Sequence, residues 1–307
     1  MQAVNVGTSP HAVAIDRQRD IAVVTNTGSN NVTLFKLRDM SILGTLNVGR
    51  SPTGIAVSSV FGRAAVTNNE DDTVSVIDLD NIAVGSTVSV APATTSSSTI
   101  TTSQPIGVAI HPGTGVTVVA DSNSAQVSFF NVQTPGTPTT LALDAGPSAV
   151  AIDPTRNIAA VAEAASNQVV IVDLGSSQVL DRETGFQLPT GAMYDPDSDT
   201  FLIVSSLANS FLSIKARPET GSYVTSAPYR VGINPTAMDY NYRSGTLVTA
   251  NTYSQTLSIM DFQSKTVKAI IPLSVSQQFG VAIDPARNRA LVVDQANNRV
   301  LIVPLPR

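Results

Sequence analysis

The sequence predicts an all-β fold, a seven-bladed β-propeller of four-stranded antiparallel blades in which the N-terminal strand closes the last blade. Three observations lead there. A motif close to P-x-[GA]-V-A recurs along the whole chain. Two positions keep a constant distance from that motif in every copy. The first residues of the chain match the one segment that the last copy lacks.

The motif is anchored by Pro10, Pro52, Pro105, Pro147, Pro189 and Pro235, and Gln278 takes the anchor's place ahead of FGVAID. Successive anchors are 42, 53, 42, 42, 46 and 43 residues apart. Sixteen residues beyond each anchor stand Asn26, Asn68, Asp121, Glu163, Ser205, Asn251 and Asp294. Twenty-two beyond it stand Val32, Val74, Val127, Val169, Phe211, Leu257 and Val300. Neither offset drifts, so the length variation is confined to the end of each unit.

Each unit reads as four short strands. The first follows the anchor, as in HAVAI and TGIAV, and the second ends at the offset-sixteen residue, as in IAVVTN and RAAVTN. The third alternates, as in TVSVIDL from Thr73, and a weaker fourth leads to the next anchor, as in SILGTLNVG from Ser41. Their β-branched content and period-two alternation favour strands over helices. Turns separate them: DPTRN from Asp153, DPARN from Asp284 and HPGTG from His111 place Pro where a φ near −65° starts a tight turn. The last unit offers only three strands, ending in VLIVPLPR, while the opening QAVNVG matches the fourth-strand segment LNVG at Leu46. The N-terminal strand is therefore expected to complete the seventh blade and remove an open edge. Residues 1–307 form a single propeller domain on this reading.

Composition narrows the function. The 307 residues include 18 Lys plus Arg against 23 Asp plus Glu, a net charge of −5, which argues against nucleic acid and anionic lipid, since both need a dense basic face. No apolar run approaches the roughly 18 residues of a membrane-spanning helix. With no cysteine, disulfides, thiolate metal sites and cysteine nucleophiles are excluded. No basic, apolar leader precedes the first strand pattern, which leaves a cytoplasmic protein, a mature exported form and a domain of a longer exported chain all open.

The units resemble YVTN-family repeats, whose pattern runs roughly P-x-G-V-A-V, YVTN or YVAN, then N-x-V-S-V-I-D. VVTN from Val23, VTAN from Val248 and TVSVID from Thr73 stand nearest to it, and the likeness covers essentially the whole chain. Gln278 at an anchor and Ser205 at offset sixteen depart from the pattern. The resemblance implies the propeller fold. It also implies a binding or scaffold module, non-catalytic, extracellular, periplasmic or at a bacterial or archaeal cell surface, acting as a monomer or as part of a multidomain chain. Such a module would present a protein or small-molecule ligand on the anchor-loop face. Related propellers include lactonases, a lyase and redox-enzyme domains, so a hydrolase or lyase remains the opposed reading. A propeller subunit docked to a redox partner is a third.

The candidate ligand ring is the offset-sixteen set Asn26, Asn68, Asp121, Glu163, Asn251 and Asp294. If these side chains circle a channel rim, the three acids among them could take a divalent cation; if they cap turns, they bond backbone amides instead. Recurrence in nearly every unit favours capping. No cofactor is otherwise expected. The catalytic alternative rests on His11, beside the channel on the anchor face, with Glu163 as a nearby acid. His111 falls where other units carry Asp16, Asp153, Asp195 and Asp284, so it belongs to a turn at the opposite end. DPDSD from Asp195 fails as a calcium loop, because its sixth and twelfth residues are Thr200 and Ser206 rather than Gly and Glu. Tyr229, Tyr240, Tyr242 and Tyr253 are expected to pack outer strands rather than build a sugar platform. The Ser/Thr-rich residues 91–102 and ARPETGSY at 216–223 are loop insertions.

Overall fold

The computed structural model describes residues 2–92, 101–217, 221–264, 266–273 and 280–306. Seven separate antiparallel sheets follow one another along the chain. Blade 1 comprises Pro10–Asp16, Ile21–Asn26, Asn31–Lys36 and Ile42–Asn47 from the inside out. The innermost strands of blades 2 to 7 are Pro52–Ser58, Pro105–Ile110, Pro147–Asp153, Pro189–Asp195, Pro235–Asn241 and Val281–Asp284. Each innermost strand contacts its two neighbours, blade 7 touching blade 1, so the seven enclose a central channel. Gln2–Asn5 pairs antiparallel with Arg299–Pro304 as the outer strand of blade 7. The anchor Gln278 and most of the Ser/Thr-rich insertion lie outside the described residues. In blade 5 the outer strand is broken into Ser222–Thr225 and Tyr229–Arg230, which both pair with Ser210–Arg217.

Two turns per blade explain residues that the repeat preserves. Ten positions beyond each anchor Asp20, Gly62, Gly115, Asn157, Asp199, Gly245 and Asn288 all have positive φ, and so do Asn30, Asp72, Ala125, Asn167, Asn209, Gln255 and Asn298 twenty beyond it. The left-handed region tolerates Gly, Asn and Asp best, which accounts for most of this composition. Before each inner turn a side chain caps the backbone. Asp16 Oδ1 accepts the Gln18 and Arg19 amides at 2.9 and 3.1 Å, and Asp153 does the same for Thr155 and Arg156. In blade 3 the Nδ1 of His111 accepts the Gly113 and Thr114 amides at 3.0 and 3.1 Å, an imidazole standing in for the carboxylate.

The core lies between blades. Among the described residues there are seven apolar clusters, one at each junction. Strand alternation sorts them: in blade 1, Ala22 and Val24 face blade 7, while Ile21 and Val23 face blade 2. Val4 of the N-terminal strand is buried at the blade 7–1 junction with Val300, Ile302 and Phe35. Small residues in the motif permit close approach of neighbouring inner strands: a Cβ on Gly54 would stand 2.0 Å from the Ile106 carbonyl oxygen of the next blade.

Arginine clips join blades on the face opposite the anchors. Arg19 bonds Asp16 of its own blade and grips Asp80 of blade 2 through Nε and Nη2 at 2.7 and 2.9 Å. Arg156 joins Asp153 to Asp199 of blade 5, and Arg287 joins Asp284 to Asp20 of blade 1 with two bonds of 2.7 Å. The last clip spans the junction between the two ends of the ring.

Candidate functional site

The offset-sixteen residues end the second strand of every blade on the anchor face, and all seven side chains are buried. Each turns into its own blade. Asn68 Oδ1 accepts the Gly49 amide at 3.1 Å, and its Nδ2 donates to Thr73 Oγ1 and Ser75 Oγ, both at 2.9 Å. Asn26 donates to Asn31 and Thr33, and Asn251 to Thr256 and Ser258. Glu163 accepts from Ser166 and Gln168, Asp294 from Asn297 and Arg299, and Asp121 from Ser128 and Gln126. Asn68, Glu163 and Ser205 tie the second-to-third-strand hairpin to the loop that enters the blade, and the bonds just given for Asn26, Asp121, Asn251 and Asp294 stay within the hairpin. The seven residues do not form an open rim, and Asp121, Glu163 and Asp294 do not converge. Among the described residues no group of three or more His, Cys, Asp and Glu is placed to hold a metal ion.

The asparagine units carry a further signature. Gly7, Gly49 and Gly232 each stand three residues before an anchor, in the three units with Asn26, Asn68 and Asn251. A Cβ on any of them would fall 2.6 or 2.7 Å from the asparagine Cγ. Where offset sixteen is Asp121, Glu163 or Ser205, the same position holds Thr102, Asp144 or Phe186.

His11 belongs to a second belt, in which the residue after the anchor reaches toward the next blade. Thr53 Oγ1 donates to the Pro105 carbonyl at 3.4 Å and Ser148 Oγ to that of Pro189 at 2.8 Å. Burial holds the His11 imidazole below its ordinary 6.5, while a hydrogen bond with the Thr53 backbone acts in the opposite sense. Glu163 lies three blades away, bonded into its own hairpin, so the ring does not bring this acid to His11.

The four tyrosines also separate. Tyr229 stacks on Phe211 at 5.0 Å and Tyr240 packs edge-on against Phe262 at 5.9 Å. Tyr253 is exposed on the anchor face and Tyr242 on the opposite one.

The innermost strands break their sevenfold regularity at one position. Four residues beyond the anchors stand Ala14, Ala56, Ala109, Ala151, Met193, Asp239 and Ala282. Asp239 alone among these is charged. It opens into a cavity of about 350 Å³ between blades 6, 7, 1 and 2, bounded by Val13, Val57, Val281 and Ile283 and, toward the face opposite the anchors, by Arg17. The Asp239 Oδ2 accepts the Ile283 amide of blade 7 at 2.6 Å, and Oδ1 accepts the Tyr240 amide at 2.7 Å. Burial pushes the carboxyl up from its ordinary 3.8, and the Ile283 bond and the Arg17 charge oppose that rise. Arg17 acts on Asp239 through its charge while its guanidinium lies 5.0 Å from the centroid of the Tyr242 ring. Arg243 lies against the same ring at 5.9 Å. The cavity thus has a carboxylate in its wall and a guanidinium at its mouth, while Val13, Val281 and Ile283, which border it, are buried in the cores of the neighbouring blade junctions. Aligning the fourth residue after each anchor would have exposed Asp239 from sequence, whereas its juxtaposition with Arg17 of blade 1 depends on ring closure.

No family model matches the chain, and no curated protein matches it. Among solved structures it is similar to the Kuenenia stuttgartiensis hydrazine synthase, with a TM-score of 0.78 and 16% identity over 99% of this chain and 98% of that one. It is also similar to the β-propeller domain of Myceliophteria thermophila Cps50 (Swd1), with a TM-score of 0.82 and 11% identity over 99% of both chains. At such identities the likeness concerns the fold alone. The chain is a seven-bladed β-propeller.

Proposed function

We propose that this chain is a non-catalytic binding module of the YVTN-repeat kind, exported or displayed at a cell surface, which holds a small ligand in the channel cavity at Asp239. One observation carries the reading: at a position where the other units carry alanine or methionine, a half-buried carboxylate faces a cavity whose volume sits at the small end of the range for small-molecule sites, roughly 300–1,000 Å³. Burying a carboxylate is costly, the other six units keep an apolar residue here, and the two backbone amides that Asp239 accepts leave part of its acceptor capacity open, which fits a ligand-facing role. The offset-sixteen residues are bonded into their own hairpins and the belt that follows the anchors joins neighbouring blades, which favours this mouth over the anchor face.

The test passes a pool of small metabolites over the purified protein and identifies what is retained by mass spectrometry. Wild type is expected to retain a compound that Asp239→Ala does not, and to return it chemically unchanged. Identical retention by the two proteins, or conversion of the compound, overturns the reading. Fractionation of the source cells is expected to find the chain outside the cytoplasm.

A further inference from the structure

We infer that the ligand of this cavity is a small zwitterion of the α-amino acid type, its ammonium on Asp239 and its carboxylate on Arg17. The inference rests on the binding reading above and adds the chemical class. Three features of the cavity support it independently of one another.

The first is the state of Asp239. Its two oxygens each accept one backbone amide, from Ile283 and Tyr240. A carboxylate offers about four lone-pair sites, so acceptor capacity remains for a donor that enters the cavity. Neutral Asn would satisfy those two amides through its oxygen only in part, and every other unit dispenses with a polar group here altogether.

The second is the sign of the mouth. A bare organic cation would have to pass Arg17, with Arg243 close by on the Tyr242 ring, and would meet like charge on the way. A bare anion would be drawn to the mouth and then meet Asp239. Only a molecule carrying both charges finds each one opposed. Arg17 is also the side chain suited to a carboxylate, because its planar guanidinium matches the two oxygens. Its own placement is supported from blade 2, since the Arg17 amide donates to Ser59 Oγ at 3.2 Å.

The third is the remaining wall. Val13, Val281 and Ile283 border the cavity but are buried in the junction cores, so the wall between the two charges exposes chiefly polar atoms, with no aromatic ring to stack on and no further charged side chain. Such a wall offers neither a sugar nor a nucleobase the aromatic platform that both commonly recruit. A volume of about 350 Å³ accommodates one small zwitterion rather than a peptide.

Isothermal titration with three probes tests the assignment: L-leucine, 4-methylpentanoate, which lacks the ammonium, and 3-methylbutylamine, which lacks the carboxylate. Leucine is expected to bind, and each truncated probe to bind at least about tenfold more weakly, the effect of losing one charge-assisted contact. Asp239→Asn is expected to lower leucine affinity by a similar factor while strengthening 4-methylpentanoate, which no longer meets a like charge, and Arg17→Gln to lower leucine affinity while strengthening the amine. Arg17 is exposed, so its variant tests the carboxylate end without disturbing the core. Amine binding as tight as that of leucine would overturn the zwitterion, as would absence of leucine binding. If leucine fails while the metabolite pool still yields an Asp239-dependent compound, the ligand class is wrong and the binding site stands. If the pool yields none, the binding reading itself falls.

Discussion

Replacing Gly49 with alanine probes whether the buried asparagines hold the entering loops in place. An ideal Cβ at Gly49 lies 2.6 Å from Asn68 Cγ, 2.7 Å from its Cβ and 2.8 Å from Nδ2. Carbon atoms in contact stand about 3.5–4.0 Å apart, so one of the two groups must move by about an ångström. Asn68 is fully buried and makes three hydrogen bonds of 2.9 to 3.1 Å, to Gly49, Thr73 and Ser75. Disturbing two or three of them at about 1 kcal/mol each predicts a loss of about 2–4 kcal/mol for Gly49→Ala. Blade 5 shows how the conflict is relieved. There Ser205 replaces the asparagine, its Oγ accepts the Gln187 amide at 2.7 Å, and Phe186 occupies the position that Gly49 holds in blade 2. Asn68→Ser alone is therefore expected to cost about 1–2 kcal/mol, and adding Gly49→Ala to it to cost little more. Urea midpoints at unchanged slope give all four stabilities, and the double-mutant cycle should return a coupling of at least about 1 kcal/mol. Additive effects, or a Gly49→Ala protein within about 0.5 kcal/mol of wild type, would refute the coupling of loop and hairpin.

Two further perturbations address stability. Burial pushes the Asp121 carboxyl up to about 7 from 3.8, against the bond from Ser128, so the folded protein favours the protonated acid. Its contribution to stability is present below pH 4 and is lost as pH rises toward 7; Asp121→Asn should match wild type near pH 4 and exceed it by a few kcal/mol at pH 8, and parallel stability–pH curves would contradict this. Val4→Asp puts a carboxylate at a site 5% exposed between blades 7 and 1 and should cost about 3 kcal/mol or more, whereas Ala3→Asp on the exposed side of the same strand should stay within about 0.5 kcal/mol. Equal denaturation midpoints for the two variants would mean that the N-terminal strand does not seal that junction.

Much of this molecule can be read along the chain, because its regularities are local. The blade count follows from the anchor spacing, and the turns follow from residues that accept positive φ, such as Asn157 and Asn288, at a fixed distance from it. His111 could be placed in a turn for the same reason. Alternation assigns Val23 and Val24 to opposite faces of a blade, but says nothing of what covers them. Whether Asn68 looks into the channel or into the protein is likewise not local, because its Oδ1 accepts the Gly49 amide of a loop that comes from the preceding blade. The pairing of Asp239 with Arg17 is still less local. It joins blade 6 to blade 1 across the ring's closure, and no periodicity within a unit encodes which charges two distant units bring to one cavity. Short-range sterics and hydrogen bonding dictate the repeat, while the chemistry of the channel arises from contacts that exist only once the circle is shut.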